Sequence, residues 1–362
     1  MWRTGLVVLL SSCAGMHRAL DVRALEQTAR LVDQRALIGA RALPFTTGEE
    51  LNQHTSPRAI AAPVERLAIG ARTLGLPDII EEQLAFRSQV TLRAVESNHA
   101  RLYVYRQGAL GERPVLLWVP GLAVSDVALS LLRPLLIDAL AEGFDVVFFV
   151  PPYHLERSPA GVASGDAVLA TDLSDHLGVV QQGVADLRET MHFLRRSDVK
   201  QLGAFAGSLG ANLALHAAQF EGNVEQPAFD FLVAMIPLID WSALVFQRPE
   251  FEQLRTRLEQ AQRSSSLRAV YDALELSRAR SPLPAESISV IAAAWDQVTP
   301  AAPRERWQRA WGLHRVTVLD RGHGTMLLGG ALRDEARRLL REERWRLDHR
   351  EQPNEHLTES GR

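Results

Sequence analysis

The chain has 362 residues, 46% apolar and 23% charged, with a formal net charge of −3. It is long enough for one large or two smaller domains, and it lacks the basic excess that nucleic-acid binding needs. Lys200 is its only lysine and Cys13 its only cysteine, which argues against Schiff-base and P-loop chemistry and excludes an intrachain disulfide or a cysteine-based metal site.

Met1-Trp2-Arg3 precedes the apolar Gly5–Leu10 run and then Ser11-Ser12-Cys13, the layout of an export signal. Leu10-Ser11-Ser12-Cys13 resembles a bacterial lipobox, in which the cysteine is lipidated and becomes the new N-terminus. The resemblance covers residues 1–13. It implies a mature protein held to a cell-envelope membrane through acyl chains on Cys13, with Ala14 favouring an outer membrane. The rival reading is the apolar first helix of a cytoplasmic protein. No apolar run reaches 18 residues, so no spanning helix is expected.

Leu20, Val22, Leu25, Ala29, Leu31, Val32 and Leu37 carry helical spacing across residues 17–45. Residues 46–58 read as a loop with a solvated His54, and residues 60–88 as helix broken at Leu76-Pro77. The segment 17–88 is therefore an N-terminal helical addition with a structural role. From Ser88 the period changes. Val90, Leu92 and Ala94, then Leu102 and Val104, alternate around Ser97-Asn98-His99, which predicts an antiparallel hairpin with His99 exposed at its turn.

Residues 114–119 and 145–150 are continuous apolar runs, as expected of strands buried on both faces. A helix between them runs from a cap at Asp126 to Ala141 and closes at Gly143. Strand, helix, strand at this spacing implies a parallel sheet. Pro151-Pro152-Tyr153-His154-Leu155-Glu156-Arg157-Ser158-Pro159 leaves the sheet at its C-terminal edge, where ligand clefts form. Residues 160–173 read as loop, and Leu177, Val180, Val184, Leu187, Met191 and Leu194 mark the clearest helix, with His176 and His192 on its solvated face. A strand over 201–206, a helix over 209–220 with a core His216, and a strand over 229–238 follow. Residues 241–284 are helical and broken by prolines, which reads as a cap-like insertion or else a long crossover. Strands over 287–294 and 315–319 and helices over 303–312 and 331–341 complete a main domain spanning 89–341, and the charged residues 342–362 read as disordered.

The chemistry centres on Ala206-Gly207-Ser208-Leu209-Gly210, between the strand ending at Ala206 and the helix starting at Leu209. Small residues on both sides of Ser208 permit a sharp bend that lifts its hydroxyl clear of the sheet, the nucleophile elbow G-x-S-x-G with Ala206 in place of the first glycine. A serine hydroxyl needs a base, and the base needs an orienting acid. Asp296 and His323 follow at the ends of later strands, with Asp240 as a second candidate acid. An oxyanion hole would use the N–H of Leu209 and one from Gly121 or Leu122.

These features resemble the α/β-hydrolase superfamily over residues 88–341. The resemblance implies an α/β fold with a mostly parallel sheet flanked by helices, hydrolytic activity and no cofactor. Trp295-Asp296-Gln297-Val298-Thr299-Pro300 is similar to the superfamily's acid loop, and Pro120-Gly121-Leu122 takes the place of its His-Gly motif without the histidine. The 151–159 loop, with the elbow, is similar to the alpha/beta-hydrolase domain-containing protein 18 group, which brings no substrate with it. His154 is offered as a substrate contact or, more simply, as a brace for that loop. No histidine pair has the spacing of a helical zinc site with a third ligand, so no metal is expected. The leading expectation is a serine hydrolase acting on a small ester or thioester. The alternatives are a non-catalytic, envelope-tethered binding protein and an acyltransferase.

Overall fold

Val115–Val119 (β4) and Asp145–Val150 (β5) are buried at every residue, which is why neither run alternates in polarity. In β4, Leu117 and Val119 face one apolar layer while Leu116 and Trp118 face another. Leu202–Gly207 (β6) packs beside β4, with Phe205 stacked on Trp118 at 4.3 Å between centroids. These observations come from a computed structural model that describes residues 14–33, 43–57, 64–67, 73–122 and 124–350. Residues 1–13 with Cys13, Leu37 and residues 351–362 lie outside the described residues.

Nine described strands form one sheet in the order β1-β2-β3-β5-β4-β6-β7-β8-β9. Glu65–Leu67 (β1), Ile80–Arg87 (β2) and His99–Arg106 (β3) form an antiparallel end. From β5 onward every pairing is parallel, through Phe231–Met235 (β7), Ile288–Ala293 (β8) and Arg315–Leu319 (β9). The parallel part of the sheet starts at β4 and winds out in both directions, so the crevice of the switch point opens between β4 and β6 at their C-terminal ends. One layer holds Leu173–Arg196 (the α5 helix) and Leu209–Glu221 (α6). The other holds Asp126–Ala141 (α3) and Ala331–Arg350 (α10).

Several expected elements fall elsewhere. The segment 17–88 is not all helical: Ala14–Asp33 (α1) and Gly48–Thr55 (α2) are helices, but β1 and β2 belong to the sheet. In β2, Leu84, Ala85 and Phe86 are buried in succession, so the alternation that marks a strand is missing. The alternating Val90, Leu92 and Ala94 are instead loop residues. The Asn98 side chain accepts from Leu92 N–H at 2.7 Å and donates to Leu92 C=O at 3.0 Å, a substitute for a strand partner. The loop 160–173 contains a short helix, Asp166–Ala170 (α4). The cap of α3 is Ser125, whose hydroxyl accepts from Ala128 N–H, with Asp126 just inside. His54 lies at the end of α2, exposed, with Nδ1 on Pro44 C=O, and His99 is exposed as expected.

His176 is buried, its Nδ1 donating to Val168 C=O at 2.8 Å, because α4 and Trp241 cover that face of α5. His192 is partly exposed and pairs with Glu221 at 2.6 Å. The segment 342–350 is helix rather than disordered tail: Leu339, Leu340, Glu343 and Leu347 continue a buried stripe, and Arg333, Arg337 and Arg341 reach Asp138 and Glu142 on and beside α3.

Candidate active site

Ser208 occupies the corner between β6 and α6 at φ 50° and ψ −119°, a left-handed conformation that costs a non-glycine residue about 1–3 kcal/mol. Neighbouring hydrogen bonds hold it there. Ser208 N–H donates to Met235 C=O at 2.9 Å, and Ser208 C=O accepts from Leu238 N–H and Ala211 N–H at 3.1 Å each. A Cβ on Gly210 would lie 2.3 Å from the carbonyl oxygens of Val119 and Pro120, so only glycine lets α6 start this close to the end of β4. A Cβ on Gly121 would sit 2.9 Å from Ser208 Cβ, which places the Pro120-Gly121-Leu122 turn directly against the serine.

Asp296 and His323 follow β8 and β9 at the same rim. Ser208 Oγ lies 3.0 Å from His323 Nε2, and His323 Nδ1 lies 3.0 Å from Asp296 Oδ2. An ionised carboxylate only accepts, so Nδ1 carries the ring proton and Nε2 turns its lone pair to the hydroxyl. Asp296 Oδ1 accepts from Val298 N–H at 2.9 Å and Thr299 N–H at 2.7 Å, and its Oδ2 from Thr299 Oγ1 at 2.7 Å. Burial alone would raise the Asp296 pKa, but the His323 charge and these hydrogen bonds outweigh it and hold the carboxyl below its ordinary value. Burial also opposes a charged His323 ring, yet Asp296 and, more weakly, Asp21 lift its pKa above the ordinary histidine value.

Ser208, Asp296 and His323 are thus brought together. Asp240, the second candidate acid, is elsewhere: it accepts from Ala243 N–H at 2.8 Å and pairs with Arg306 at 2.7 Å. Asp320 bonds Trp295 Nε1. His154 is fully buried with Nδ1 donating to Pro152 C=O at 2.8 Å, and burial pulls its pKa to about 4, so it braces its loop as a neutral ring. The same loop is anchored by the fully buried Arg157, which donates to Val150 C=O, Ser97 C=O, Gln182 Oε1 and Asp186 Oδ2. His216 is a core residue with Nε2 on Leu274 C=O. Among the described residues no cluster of three or more His, Cys, Asp or Glu could hold a metal ion, and no helix is long and apolar enough to cross a membrane.

Two contributors escaped the sequence reading. Thr299 fixes both oxygens of Asp296, and the Asp-x-x-Thr spacing of an N-cap could have revealed it. Asp21, on α1, accepts from the main-chain N–H groups of His323, Gly324 and Gln297 at 2.8, 2.9 and 3.0 Å. No sequence pattern marks it.

No protein-family model matches the chain, and no curated protein matches its sequence. Solved structures match its shape. An acetyl xylan esterase from Paenibacillus sp. R4 superposes with a TM-score of 0.55 at 13% identity, covering 86% of this chain and 98% of that one. Acetyl xylan esterase 1 from Thermoanaerobacterium sp. JW/SL YS485 gives a TM-score of 0.55 at 13% identity over 82% of this chain and 93% of its own. With the strand order and the elbow, this likeness establishes the α/β-hydrolase fold. At such identity it speaks for the fold alone.

Proposed function

We propose that the protein is a serine hydrolase that cleaves a small carboxylic ester or thioester through an acyl-enzyme on Ser208. The observation that carries this is the continuous contact from Ser208 Oγ to His323 Nε2 and from His323 Nδ1 to Asp296, each at 3.0 Å. In this reading His323 takes the hydroxyl proton as Oγ attacks the acyl carbon, and Asp296 steadies the imidazolium that forms. Leu209 N–H at the start of α6 and an N–H of the Gly121-Leu122 turn would receive the oxyanion, since that turn abuts Ser208. His323 then gives its proton to the leaving oxygen or sulfur, and water releases the acid by the same steps in reverse. The fold shared with two acetyl xylan esterases supports an ester as substrate.

The 151–159 loop supports kinship with the alpha/beta-hydrolase domain-containing protein 18 group. Cys13 in its lipobox-like setting supports a lipid-anchored envelope protein. Residues 241–284 and α1 would bound the substrate cleft.

A fluorophosphonate probe and short p-nitrophenyl esters test the reading. The unmodified protein should be labelled and turn the esters over. Ser208→Ala should remove labelling and lower kcat on the order of a million-fold with the fold retained. Undiminished turnover by Ser208→Ala would sink the assignment, and an unlabelled, inert wild type would leave the binding-protein alternative.

A further inference from the structure

We propose that Asp21 of α1 is a positioning residue for His323, a step that rests on the triad reading above. The buried stripe of α1 runs through His17, Asp21, Leu25, Ala29 and Val32, so it is polar at one end and apolar at the other. The polar end lies on the two loops that carry the candidate acid and base. Asp21 Oδ2 accepts from His323 N–H at 2.8 Å and Gln297 N–H at 3.0 Å, and Oδ1 from Gly324 N–H at 2.9 Å. One carboxylate therefore ties the backbone beside the base to the backbone beside the acid.

The fit is close. A Cβ on Gly322 would lie 3.0 Å from Asp21 Oδ2 and 3.0 Å from His17 C=O. Neither Gly322 nor Gly324 has a left-handed φ, so what Gly322 provides is room for α1 rather than an unusual backbone. His17 Nδ1 meets Thr325 Oγ1 at 2.7 Å, and the Arg18 guanidinium lies 4.7 Å from the centroid of Trp295. α1 is thus seated on both loops at once. A carboxylate is the right group here, because two oxygens can accept three N–H bonds. An asparagine that kept its oxygen toward His323 and Gln297 would turn its NH2 on Gly324 N–H, donor against donor.

The charged and titratable groups around His323 come from several elements. Asp296 stands in the loop after β8. Asp21 and His17 come from α1. Arg304, in Ala301–Trp311 (α9), interacts electrostatically with Asp296. Asp21 adds a second negative charge near the ring, bonded to the backbone N–H of His323, which favours the imidazolium that forms during attack.

The test compares Asp21→Asn and Asp21→Ala with Glu26→Gln, which removes a negative charge from the exposed side of the same helix. Asp21→Asn should lower kcat about tenfold with KM little changed, given the sensitivity of catalysis to small misplacement. It should also move the acid limb of the kcat/KM profile to lower pH. Asp21→Ala should lose more, and Glu26→Gln nothing. Independently of turnover, the His323 ring is titrated by NMR in a Ser208→Ala background, assigned against His323→Asn. Its midpoint should fall when Asp21→Asn is added. A lower melting temperature with kcat, acid limb and His323 midpoint all at wild-type values would overturn the proposal. Should the variants not fold, hydrogen exchange in the unmodified protein decides: the amides of His323, Gly324 and Gln297 should be protected together, and open-loop exchange rates would refute the tie. Because the NMR and exchange readouts need no substrate, failure of the esterase reading is distinguishable from failure of this one.

Discussion

Ser208 stores strain that its hydroxyl has to justify. Its φ of 50° suits glycine, and the surrounding hydrogen bonds keep it there. Ser208→Gly should therefore be more stable than Ser208→Ala by about 1 kcal/mol in urea unfolding, although both lack the nucleophile. Equal stabilities would mean that the corner is relaxed. At this scale the sequence was informative where chemistry imposes order. Ser208, Asp296 and His323 stood out because each follows a strand end in the order the fold uses. Asp21 did not, because hydrophobic periodicity counts only apolar positions, and here two buried positions of the stripe are His17 and Asp21. Leu20, which that pattern placed in the stripe, is 40% exposed. Gly322 likewise carries no local signal of its role, since the room it leaves is filled by a helix some three hundred residues upstream.

Among elements, α10 separates charge from disorder most clearly. Its composition hides a stripe in which Leu340 and Leu347 are buried, while its arginines reach carboxylates on other elements. Leu347→Ala should cost about 2–5 kcal/mol of stability by denaturant unfolding. Trp345→Ala, at a residue 62% exposed in the same turn, should cost under about 0.5 kcal/mol. Two silent substitutions would return the segment to a frayed tail. The central strands were legible because full burial leaves an unbroken apolar run. β2 was not, because its hydrogen bonding to β3 gives it order that its own pattern does not announce. Alternation over 90–94 misled for the converse reason, with one side chain, Asn98, standing in for a strand.

For the molecule as a whole, the lipobox-like segment directly precedes, in sequence, the helix that reaches the site. α1 begins at Ala14, immediately after Cys13, and Asp21 lies two turns along it. If Cys13 carries acyl chains, the rim bearing Ser208 is held close to the bilayer, within reach of substrates dissolved there. Cys13→Ala should abolish incorporation of a palmitate analogue and release the protein from the membrane fraction, while the purified soluble form still reacts with fluorophosphonate. Unchanged acylation would remove the anchor.

The bond between Asp21 and His323 spans 302 residues of chain. During translation at roughly 5–20 residues per second, the first helix waits on the order of 15–60 s for its partner to be made. Until then the histidine is absent and the tie is open, so a ribosome-bound chain has not yet assembled the Ser208, His323 and Asp296 contacts. The arrangement is completed last, when the two ends of the polypeptide find each other, and a chain cut short before residue 323 cannot form it.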